Sequence, residues 1–260
     1  MLRFFSKIRY QLAAQNKVAK YLRYAVGEIL LVVIGILIAL QVNNWNEHRK
    51  QKIQENYYLE QLLADFEFNK SEAERNLQFS VFQSKNARLI IKSLAEPLDE
   101  DETIKWYYAI NHLWFLPHPN YNESSWGELK STGHLELISN KDIVENISSF
   151  FADLHLINKL EDEWGSFNLE YRKEVNNILE LDVRQRFLEN LNVTHIDDPE
   201  KSAPDITPYL KKLRAKSDIK GLIDDIRINR EVGAKYHKEL KNKIEEIILL
   251  LNKEVIKSNK

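Results

Sequence analysis

Seven histidines, at positions 48, 112, 118, 134, 155, 195 and 237, are the side chains in this sequence best suited to proton transfer or metal ligation near neutral pH. They are scattered, with no paired metal-ligand spacing. The chain has no HExxH helix, glycine-rich phosphate loop, GxSxG elbow or calcium-binding EF-hand loop. With no cysteine it can form neither a disulfide, a thiolate nucleophile nor a cysteine-ligated zinc site. The acid pairs Asp197/Asp198 and Asp224/Asp225 and the acidic run Glu161 to Glu163 read as solvated faces and loop residues. Catalytic groups can converge from distant positions without a local motif. These residues nevertheless support no catalytic, cofactor or metal assignment, and the expectation is a non-enzymatic protein.

Two patterns stand out from the remainder. At about 100° per residue around a helix, Glu28, Gly35, Ala39, Val42 and Asn46 fall within about 60° of one another. Small residues four apart, such as Gly35 and Ala39, let two helices approach closely in a membrane, and an ionisable residue on that face can bond across the contact. The plainer alternative has Glu28 reaching the headgroups and the small residues facing lipid. The second pattern is aromatic: Trp106, Tyr107, Tyr108, Trp114, Phe115, Tyr121 and Trp126 put seven aromatics within 21 residues, against 10% in the chain. With His112 and His118 among them, they could line a ligand or partner site. Such residues more commonly form the core where short helices close over a bundle.

The elements that must position these residues begin with an apolar run. Ala25 to Val42 reads AVGEILLVVIGILIALQV, interrupted only by Glu28 and Gln41. Tyr21 and Tyr24 precede it and Trp45 follows. Tyr24 to Trp45 spans about 32 Å at about 1.5 Å per residue, matching a bilayer's hydrocarbon core. No small-residue cleavage site follows, because the chain continues QVNNWNEHRK, so a retained anchor is expected. Residues 1 to 27 carry Arg3, Lys7, Arg9, Lys17, Lys20 and Arg23 and no acid, within a chain of net charge −2. Only Arg49, Lys50 and Lys52 lie directly beyond the span. The positive-inside rule then puts the N-terminus in the cytoplasm and exports the body. Phe5, Ile8 and Leu12 recur at helical spacing among those cations, as in an amphipathic segment lying on anionic headgroups.

The stretches FFSKIRYQL and YLRYAVGEILLVVIGILIALQVNNWNEHRK, about residues 3 to 50, resemble the N-terminal signature of a Bacteroidota family of single-span membrane proteins of unknown function. SSWGELKSTGHLELISNKDI, residues 124 to 143, is similar to a less sharply defined motif of that family. The resemblance implies a bacterial envelope protein of similar layout, and together with the charge asymmetry the expected location is the inner membrane, single-pass, with the C-terminal domain periplasmic. It implies no activity, substrate or catalytic residue.

The body reads as helix after helix. Seven Gly and six Pro are few for 260 residues, and none occurs from Ile36 to Glu96. Leu59, Leu62, Leu63, Phe66, Ala73 and Leu77 keep the helical period there. So long an unbroken stretch exceeds ordinary helix lengths, which predicts a bend or loop within it. Pro97 and the acids Asp99 to Glu102 separate that stretch from a shorter helix over about 101–115. Asn122 or Ser124 starts a brief helix ended by Gly133, and Asn140 caps the next. That helix carries Ile143, Ile147, Phe150, Phe151, Leu154 and Ile157 on one stripe and is expected to reach about Leu188. Residues 192 to 208 hold three of the six prolines and read as the one long connection. A last helix, about Asp218 to Ile256, places Leu240, Ile244, Ile247 and Leu251 on a coiled-coil-like seam.

The summed expectation is an all-α protein: one N-terminal transmembrane helix followed by a long-stalked antiparallel helical bundle. Its parts are a basic amphipathic segment over 1–23, the span over 24–44, and a helical stalk and bundle over 45–260. The expected partners are the lipid bilayer, a protein of the envelope, and a second copy through the span. The one basic concentration lies beside the bilayer, which argues against nucleic acid. Two functions compete: a protein-interaction or scaffold module, and a ligand-sensing domain acting through a partner. A membrane-anchored enzyme is a third.

Overall fold

The computed structural model describes residue 10 and residues 18–116, 119–180 and 205–258. All regular structure among these residues is helical: α1 (Val18–Ala95), α2 (Glu100–His112), α3 (Ser124–Thr132), a short 3-10 turn (His134–Leu137), α4 (Lys141–Asn176), α5 (Thr207–Arg214) and α6 (Ser217–Ser258). The fold is thus all-α, with one apolar N-terminal helix followed by a helical bundle. The expected amphipathic segment at Phe5, Ile8 and Leu12 lies outside the described residues.

No loop interrupts α1, contrary to the expectation from its length. Its backbone is helical at every residue from Val18 to Ala95. The physical reason is the absence of glycine and proline from Ile36 onward, so nothing removes a hydrogen bond or favours a non-helical backbone.

The chain forms two compact units, Met1–Tyr57 and Tyr58–Lys260. In the first, every residue from Ile29 to Lys50 is exposed. The stretch Ala25–Ala95 contains one window long and apolar enough to cross a membrane, and none of that window is buried. Exposure of so many contiguous aliphatic side chains distinguishes it from the core helix of a soluble protein.

The second unit is built on three long helical segments. Ion pairs Lys70–Glu245 (3.5 Å), Lys241–Glu74 and Arg88–Glu231 (2.6 Å) run in opposite sequence directions along α1 and α6, which makes those helices antiparallel. Lys243–Asp153 and His237–Glu161 (3.0 Å) do the same for α6 and α4. The apolar stripes meet in two cores. One gathers Ala87 and Ile90 of α1, Trp106 to Leu113 at α2, Tyr171 and Val175 of α4, Tyr209 and Leu213 of α5, and Ile219, Ile223 and Ile226 of α6. The other gathers Tyr58 to Ala73 of α1, Trp126 and Leu129 of α3, Ile143 to Ile157 of α4, and Leu240 to Leu251 of α6. Phe66 lies edge-on to Phe150 and Phe151 at 5.3 and 6.1 Å between centroids.

The helix ends follow local chemistry. Asp99 caps α2 in a capping box, its Oδ1 accepting from Glu102 N (2.7 Å) while Glu102 Oε2 accepts from Asp99 N (3.4 Å). Gly133 closes α3 with φ of 74°, a left-handed conformation that glycine adopts without strain. Asn140 Oδ1 accepts from Asp142 N (3.1 Å) at the start of α4, as its sequence position predicts. Asp205 does the same for Thr207 N (2.9 Å) ahead of α5, with proline in the first turn. Two expected ends differ. The second helix stops at His112 and not near 115, and α4 stops at Asn176 and not near 188. Residues 181 to 188, and most of the expected connection over 192–208, lie outside the described residues.

With both cores contained in residues 58–260, deleting residues 1–48 is expected to release a water-soluble, predominantly helical protein. The next most apolar run, IILLL at 247–251, is too short to span a bilayer. A circular dichroism spectrum dominated by sheet, or a product that stays in the membrane pellet, would refute this.

Candidate functional site

Between the two cores lies a layer of buried polar side chains. It follows from three continuous registers of core positions spaced three and four apart. On α6 these positions are Ile219, Ile223, Ile226, Arg230, Gly233, His237, Leu240, Ile244, Ile247 and Leu251. On α4 they include Leu154, Ile157, Glu161, Trp164, Asn168, Tyr171 and Val175. On α1 they include Phe66, Asn69, Ala73, Asn76, Ser80, Gln83, Ala87 and Ile90. Each helix therefore replaces aliphatic residues with polar or small ones at the same level. Arg230, His237, Glu161, Asn168, Asn76, Ser80 and Gln83 are all buried.

Half of this layer has a structural task. Gln83 Nε2 donates to His112 O (2.9 Å) and Phe115 O (3.2 Å). Asn168 Nδ2 donates to Trp114 O (3.2 Å), and the Tyr171 hydroxyl donates to Ile110 O (2.9 Å). Terminal carbonyls left over at the end of a helix are thereby satisfied from side chains. That accounts for α2 ending at His112 with its last turn buried.

The other half centres on Glu161, which is 5% exposed. Its Oε1 is 3.0 Å from His237 Nε2. A Cβ placed on Gly233 would lie 4.0 Å from that oxygen and 3.6 Å from Ser80 Oγ and Trp164, ordinary contact distances, so α6 runs beside both neighbours at this level. Arg230 is 3% exposed, stands over the Phe79 ring at 5.7 Å, and feels the Glu161 charge. Burial holds its guanidinium below the usual arginine range, and Glu161 opposes that shift. Burial pushes the Tyr121 phenol up, with Asn76 opposing and Glu161 and Glu72 adding to the rise. Asn76 and the Tyr121 hydroxyl bond to each other, whereas Arg230 Nε and Nη2 and His237 Nδ1 make no hydrogen bond within the protein. Buried polar atoms are ordinarily paired, so this concentration at one level is unusual. Glu72, at the edge of the layer, is bonded to Arg75 and accepts from Asn120 N (3.3 Å).

Glu161 is buried, contrary to the expectation that the acidic run Glu161 to Glu163 is a solvated face, because it falls on the core stripe of its helix. Tyr121 and His237 are conspicuous in the sequence but not as neighbours, and Asn76 and Arg230 do not stand out by type. The signal that could have found them is the register. Extending the four-three spacing of Leu240, Ile244, Ile247 and Leu251 backward lands on His237, Gly233 and Arg230 before reaching Ile226.

The aromatic group named from the sequence is divided. Trp106, Tyr107 and Tyr108 are buried in the first core, where Trp106 Nε1 donates to Ser93 Oγ (2.8 Å). Trp114 packs against that core, with the Arg172 guanidinium 4.2 Å above its ring. His112 is buried beside Phe79, Phe82 and Phe115, and desolvation lowers its pKa. Trp126 belongs to the second core, stacked on Phe151 at 6.2 Å, and Tyr121 packs against the same core. His118 lies outside the described residues. In the first unit, Gly35, Ala39, Val42 and Asn46 are exposed and Glu28 is half-buried. A Cβ added at Gly35 meets nothing within 4 Å. Among the described residues, no group of three or more His, Asp and Glu side chains is placed to hold a metal ion.

The fold and layer define an all-α protein with one candidate span. Residues 28–114, about a third of the chain, match a family of unknown function, DUF6090. The match covers α1 from Glu28 onward, including most of the apolar run, and all of α2, and it stops short of residues 124–143. No curated protein and no solved structure matches the chain.

Proposed function

We propose that this is a single-pass membrane protein without catalytic activity, whose helical domain engages another protein of the bacterial envelope. The basic N-terminal segment stays in the cytoplasm, the apolar run crosses the inner membrane, and the second unit is periplasmic. The observation that supports this reading is the fully exposed aliphatic segment from Ile29 to Val42, preceded by six cations and no acid before Glu28. The protein is expected to resist carbonate extraction. A C-terminal alkaline phosphatase fusion should be active and a C-terminal fluorescent-protein fusion dark. Cytoplasmic fluorescence with no phosphatase activity would reverse the orientation.

The face Glu28, Gly35, Ala39, Val42 and Asn46 supports a second copy as the partner within the membrane. Gly35→Ile should weaken self-association in a membrane two-hybrid assay, because a branched side chain holds the two backbones apart. Leu37→Ile, about 160° around the helix, should leave association unchanged. Glu28→Gln should fall between them, since interhelical polar contacts average about 0.6 kcal/mol. Equal association of Gly35→Ile and wild type at matched expression would eliminate the dimer. A ligand-sensing role is the second reading, and the buried polar layer favours it.

A further inference from the structure

No further inference is drawn: the strongest candidate, the outer face of α1 that leaves Phe68 and Phe82 exposed, carries nothing because nothing in the structure shows what covers it.

Discussion

Trp106→Ala is expected to destabilise the helical domain by about 3–5 kcal/mol, the range for removing a large aromatic side chain from a core. Trp106 is fully buried among α1, α2, α4 and α6, and its Nε1 donates to Ser93 Oγ, which itself donates to Ile90 O (2.6 Å). The truncation removes both the packing and the bond. Trp106→Phe should cost less. It keeps most of the ring, and the Ser93 hydroxyl still has its acceptor, so no buried donor is left open. Trp114→Ala should cost less than Trp106→Ala, because that half-buried ring packs only on the edge of the core and otherwise loses its contact with the exposed Arg172. Urea unfolding followed by far-ultraviolet circular dichroism can rank the three. If Trp106→Ala and Trp114→Ala cost the same, the aromatics are not divided between core and periphery as described.

Glu161→Ala should be comparably severe, at about 3–5 kcal/mol, for an electrostatic reason. Removing one member of a buried charge set leaves the other without compensation. Here the stranded groups are Arg230, held over Phe79, and His237, which loses its 3.0 Å partner. The double change Glu161→Leu with Arg230→Met should recover most of that loss. Two uncharged side chains of similar volume remove the desolvation cost together, and such replacements are often neutral or stabilising. A double-mutant cycle on the soluble fragment therefore should give a large coupling between positions 161 and 230. Simple additivity of the two single changes would show that Arg230 and Glu161 do not depend on each other, and the description of the layer would fail.

Much of the architecture is legible in the residues. Asp99, Gly133 and Asn140 each mark a helix end by local backbone chemistry, and local chemistry needs no knowledge of the fold. The exposed apolar helix can be read from eighteen consecutive residues. The break expected within α1 is absent because typical helix lengths count for less than the plain absence of any residue that would interrupt it. The second helix reads three residues too long for a different reason. Its end is fixed by Gln83 and Asn168, side chains from two other helices.

The sequence by itself determined the helical class, the candidate span, the caps and the three-four spacing of core positions along each helix. These are all properties of a single segment, set by its own periodicity and its own termini. Only the tertiary structure decided that the polar breaks in three such registers fall at one level. Asn76, Tyr121, Glu161, Arg230 and His237 come from four separate parts of the chain, and their meeting depends on how antiparallel helices slide into register. Which donors then remain without an acceptor depends on distances of an ångström or less between those side chains. Periodicity along one helix carries no information about that.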